Sequence, residues 1–94
     1  MSNHSVIIRI DGVEHLFEDQ ATITFARDRE VAAFKAVSRT LRHDSVSIED
    51  DMDTANVHLG NIDALDAGAA EMHKLQENEL IELLHELQLA AESL

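Results

Sequence analysis

The chain has no cysteine, no proline, no tryptophan and no tyrosine, and only three glycines. Without cysteine there can be no disulfide, no thiolate metal ligand and no cysteine nucleophile, so stability must come from packing or assembly. Without tryptophan or tyrosine the side chains that most often stack on bases or anchor tight protein contacts are missing; Phe17, Phe25 and Phe34 make up the entire aromatic content. Three glycines, none of them in a G-x-G-x-x-G or G-x-x-x-x-G-K pattern, cannot build a phosphate cradle. No stretch approaches the ~20 apolar residues of a membrane span, and Met1 to Ser5 lack a basic segment leading into an apolar one. These absences lead to the expectation of a cytoplasmic protein with no membrane association. The missing proline also means that nothing forces a helix to stop.

Positive charge is scarce as well. Seven Lys and Arg face nineteen Asp and Glu, a formal net charge of -12, which repels nucleic-acid backbones and anionic lipid and argues against direct nucleic-acid binding. Lys35 and Lys74 are the only lysines. A carboxylate-rich, lysine-poor surface suits solubility in general and a high-salt, halophilic cytosol in particular.

Ninety-four residues make a single unit with a modest core, and the hydrophobic fraction of 45% is almost wholly aliphatic. Ser5 to Ile10 and Val13 to Glu18 are β-branched or alternating runs joined by Asp11-Gly12, a pair suited to both centres of a type I′ turn. Counting outward from that turn pairs Ile10 with Val13, Arg9 with Glu14, Ile8 with His15, Ile7 with Leu16 and Val6 with Phe17. Ala21 to Phe25 alternate again and extend the hairpin to a meander, unless Thr24 starts a helix. Asp28 is a candidate N-cap for a helix to about His43, with Val31, Phe34, Val37 and Leu41 at helical spacing. Ser45 to Ile48 and Asn56 to Leu59 read as short strands around an acidic loop. Asn61 or Asp63 then caps a long helix. The expected fold is α+β: a small antiparallel sheet, hairpin or meander, with one packed helix and a long C-terminal amphipathic helix. Residues 1–60 form the α+β part and 61–94 the C-terminal helix.

That last helix holds the most informative pattern. Ile62, Leu65, Ala69, Met72, Gln76, Leu80, Leu83, Leu87, Ala90 and Leu94 recur at spacings of three and four, with Gln76 the one polar member. At about 100° per residue, Leu80, Leu83, Leu84, Leu87, Ala90, Ala91 and Leu94 share an arc about 120° wide. Ile81 and Leu89 project from the polar side, so one packing face would leave apolar side chains in water. Such a helix spans about 45 to 50 Å, whereas a compact chain of this size has a radius of gyration near 12 Å. The domain cannot cover it alone. The expected interface is Leu65, Ala69, Met72, Gln76, Leu80, Ile81, Leu83, Leu84, Leu87, Leu89 and Leu94. It serves a homo-oligomer, a dimer favoured, or a heteromeric protein partner. Ala67-Gly68-Ala69-Ala70 would let a partner backbone approach closely, and a parallel pair would set Gln76 against Gln76.

Catalytic and metal chemistry finds little support in the residue pattern. His73 with Glu77 and Glu82 with His85 have helical metal-ligand spacing, but a di-iron site needs further carboxylates from other helices. Counting an EF-hand from Asp51 puts Asn56 where Gly is required and Ile62 where Glu is required. His43-Asp44-Ser45 holds the residue types of a hydrolytic triad, but neighbours in sequence point in different directions. His15, opposite Ile8 on the hairpin, is a candidate pH-sensitive group. The expectation is therefore a non-enzyme with no cofactor and no metal, a binding or assembly protein such as an adaptor, assembly chaperone or structural subunit. The alternative is an acidic inhibitor that imitates a nucleic acid, using Glu49, Asp50, Asp51, Asp53, Glu79, Glu82 and Glu86 if these carboxylates line one face at phosphate-like spacing.

Overall fold

The computed structural model describes residues 4–43 and 47–93 and has the element order β1 (Val6–Ile10), β2 (Val13–Phe17), α1 (Gln20–His43) and α2 (Ile48–Glu92). It is an α+β fold, a two-stranded antiparallel sheet followed by two helices. The hairpin has the register expected from its turn, from Val6 opposite Phe17 to Ile10 opposite Val13. Asp11 (φ 54°) and Gly12 (φ 78°) both occupy the left-handed region, the geometry of a type I′ turn whose twist matches that of the strands. Val6, Ile8 and Phe17 face inward and are buried, whereas Ile7 and Leu16 stand exposed on the other face.

Two expected strands are helical instead. Ala21 to Phe25 lie within α1, because Asp19 starts the helix earlier than the alternation suggests. Its carboxylate accepts a hydrogen bond from the Thr22 backbone N–H at 2.7 Å and one from the Thr22 hydroxyl at 2.7 Å, which satisfies a donor that the first turn leaves unpaired. Asp28, expected as the cap, sits inside α1. Ser47 is the N-cap of α2, and its hydroxyl donates to Asp50 at 2.9 Å. The expected acidic loop and the strand Asn56 to Leu59 are the first turns of this helix, while residues 45 and 46 of the other expected strand, Ser45 to Ile48, lie outside the described residues and Ile48 opens α2. Asn61 and Asp63 are interior positions of α2, not caps. The helix runs through Gly60 and Gly68 without interruption for 45 residues.

The two hydrogen bonds to Asp19 favour its charged form and hold its carboxyl below the ordinary carboxylate value, the backbone bond being the larger cause. A depressed folded-state value makes this contribution fully present above the unfolded value near pH ~4. It is lost as pH falls through the folded value. Asp19→Asn keeps a capping side chain but not the titration, so its acid-unfolding curve, followed by helical circular dichroism, is expected to lose that component; an unchanged curve would show that the cap is not charge-linked.

The core is small: Val6, Ile8, Phe17, Ile23, Leu65 and Met72, with Ile10, Ala26, Ala64, Ala69 and Leu75 packed around it. The helices run antiparallel, with Gln20 Nε2 donating to the Ala69 carbonyl at 2.8 Å, Arg27 paired with Asp66 at 2.5 Å and His58 Nδ1 against Glu30 at 2.6 Å. The hairpin lies over the middle of α2, where Ile8 fills the space that a side chain at Gly68 would need. The close approach expected of a partner at Ala67 to Ala70 is thus made by the chain's own strand. One polar residue of α2 is buried, Asn61, and it clamps the turn: its Oδ1 accepts from the Asp11 backbone N–H at 3.1 Å, and its Nδ2 donates to Asp11 at 2.8 Å and to Glu30 at 3.3 Å.

Candidate interaction surface

The leucine stripe of α2 divides at Gln76. On the amino-terminal side Leu65 and Met72 have no exposed surface, and Ala69 is half-buried, each enclosed by the hairpin and α1. These three, expected to meet a partner, are core residues of the chain itself. Gln76 is exposed. From Leu80 onward every described residue is exposed, so the last three to four turns of α2 stand clear of the body. Leu80, Ile81, Leu83, Leu84, Leu87 and Leu89 are between 49% and 61% exposed. Leu94 lies outside the described residues.

This projection sets the shape of the molecule. Its extents are 73 × 22 × 14 Å and its Cα radius of gyration is 19.5 Å, well above the ~12 Å of a compact chain of this length. The junction is held by His4, whose Nε2 lies 2.5 Å from a Glu79 carboxylate oxygen. Beyond Glu79 the arm depends on its own backbone hydrogen bonds, and Ser93 closes it with N–H and hydroxyl bonds to the Leu89 carbonyl at 3.1 and 3.0 Å.

The seven candidate carboxylates fall into two groups on α2. Glu49, Asp50, Asp51 and Asp53 occupy its first two turns, whereas Glu79, Glu82 and Glu86 lie on the arm. Asp53 and Glu79, the facing ends of the two groups, are 26 positions apart, about 39 Å along the axis, so these seven carboxylates do not form one phosphate-like row.

A cleft of about 530 Å³ opens between the hairpin and the helices, lined by Asp11, His15, Phe17, Arg29, Glu30 and His58 among others. His15 is exposed there, with its ring 6.5 Å from that of Phe17. Glu30 is engaged by His58 and Asn61, and Asp11 by Asn61, so these polar groups clamp the turn to the helices. Among the described residues no Ser, Thr, Lys or Tyr lines the cleft. Among the described residues no group of three or more His, Asp or Glu is placed to hold a metal ion, and His73 is exposed. No helix among them is long and apolar enough to cross a membrane.

No protein-family model matches the chain, and comparison with curated proteins and with solved structures finds no match either.

Proposed function

We propose that this chain is a non-catalytic binding or assembly protein of the cytoplasm, in which a hairpin and two packed helices carry a helical docking arm. The observation behind this reading is the arm itself: Leu80, Leu83, Leu84 and Leu87 form one exposed face, continuous with a buried stripe of the same helix. Exposed apolar surface of this extent is costly in water, at roughly 25 cal/mol per Å², and clustered patches of it mark interaction sites. The pattern i, i+3, i+4, i+7 is the one by which an amphipathic helix seats in an apolar groove. An isolated helix of four turns is marginal in water, so a docked arm also gains order. The absence of cysteine supports the cytoplasmic setting.

A photo-reactive phenylalanine analogue placed at Leu84 or Leu87 in the expressing host should cross-link to a protein. The same analogue at His85, on the opposite side of the arm, should not. Equal yields at positions 84 and 85, or none at either, would overturn the reading.

A further inference from the structure

We propose that the polypeptide covering the arm is a protein presenting an apolar groove about three turns long with Lys or Arg along its rims, rather than a second copy of this chain. This rests on the docking reading above and names its partner by charge. Lys74 is the last Lys or Arg in the sequence; after it come Glu77, Glu79, Glu82, Glu86 and Glu92, of which Glu79 is paired with His4. At about 100° per residue, Glu79 and Glu86 border the leucine arc on one side and Glu77 on the other, with Glu82 farther round. Carboxylates thus line one edge of the arc and begin the other, which continues with Ile81 and Gln88.

Residues that flank an apolar seam face the corresponding flanks of the opposing helix, and their charges decide which partner and orientation are accepted. Two copies of this arm could form no Lys or Arg ion pair along these flanks, since neither carries a Lys or Arg beyond Lys74, and an antiparallel pair would bring Glu86 against the same carboxylate flank of the other copy. The arm's carboxyl-terminal end leads to the same conclusion. A helix ends with partial negative charge on its unpaired carbonyls, which basic residues in the last turn normally offset; α2 has none there and carries Glu92 instead. A cationic rim supplies what the arm lacks along its flanks and at its end. The net charge of -12 would also steer such a partner toward the molecule, and the association would weaken with salt.

The test uses the purified full chain and two synthetic helical peptides with identical leucine seams, one flanked by Lys and the other by Glu, read by fluorescence anisotropy at low and high salt. Sedimentation equilibrium of the chain alone accompanies it. The chain is expected to be monomeric at low salt and neutral pH, and to bind the Lys-flanked peptide at least about tenfold more tightly than the Glu-flanked one, with the preference shrinking as salt rises. Leu83→Gln with Leu87→Gln should abolish binding without changing the helical spectrum, because both side chains are exposed. Glu77→Lys with Glu86→Lys should reverse the preference. A stable low-salt dimer that those leucine substitutions dissolve would overturn the inference and name a second copy as the occupant, leaving the docking reading standing. Equal binding of both peptides, or of neither, would also overturn it. Absence of cross-linking at position 84 would remove the docking reading itself.

Discussion

Leu65→Ala is expected to destabilise the protein by about 2–5 kcal/mol, the range for truncating a leucine that leaves a cavity in a packed core. Leu84→Ala, the same substitution farther along the same helix, is expected to change stability by less than about 0.5 kcal/mol. Leu65 has no exposed surface and sits among Val6, Ile8, Ile23 and Met72, whereas Leu84 is 57% exposed. A domain of this size has a total stability of roughly 5–14 kcal/mol, so the first change removes a large share of it. Urea unfolding followed by helical circular dichroism measures both. Comparable losses at the two positions would mean that the arm is packed on its own body.

Gly68→Ala is expected to lower stability and Gly60→Ala to raise it, although both glycines lie inside α2. Each substitution gains about 1 kcal/mol of helix propensity. At Gly60 nothing lies within 4 Å of the added methyl, so the gain stands. At Gly68 the added methyl would meet the Ile8 side chain, with Cγ1 only 2.5 Å away. Ile8 is branched at Cβ and held between Val6 and the helices, and its Cγ1 cannot move aside by rotating the end of the chain alone. Overpacking of this kind costs about 1–3 kcal/mol, and the hairpin must lift from α2 to relieve it. The net loss, up to about 2 kcal/mol once the propensity gain is subtracted, lowers the midpoint of thermal unfolding by roughly 4–8 °C per kcal/mol in a domain this small. Similar gains at both positions would show that Ile8 does not pack over Gly68.

The hairpin was legible residue by residue because two independent signals agree on it, alternation of apolar side chains and an Asp-Gly turn that fixes the register. The long C-terminal helix was legible from its stripe. What misled the reading was short-range alternation inside helices. Thr22, Ile23 and Thr24 have strand preferences, but the Asp19 cap and the burial of Ile23 decide for helix. Val57 and Leu59 suggested a strand, yet both are exposed on α2, and the face that packs there is Ala55, His58, Asn61 and Leu65. Those residues extend the stripe backward at spacings of three and four, a signal hidden because His58 and Asn61 are polar. Asn61 looked like a cap because of its residue type. Its role comes instead from the turn it meets 50 positions away, a pairing no local pattern can reveal.

The candidate surface was only partly legible for a related reason. Periodicity shows that Leu65, Met72, Leu80 and Leu87 share one face of a helix, but not where along the helix the chain runs out of material to cover it. The boundary is set by the reach of a five-residue hairpin strand and by the place where α1 begins, beside Ala69. The body covers α2 as far as Leu75, and among the described residues nothing covers the leucines beyond.

Small-angle X-ray scattering from the full chain, with the molecular mass taken from forward scattering and data extrapolated to zero concentration, tests the central claim most directly. For the monomer the account expects a radius of gyration near 19.5 Å and a longest dimension near 73 Å. A monomer with a radius of gyration near 12 Å, the value for a compact chain of this length, would mean that α2 folds back on itself and that no arm projects.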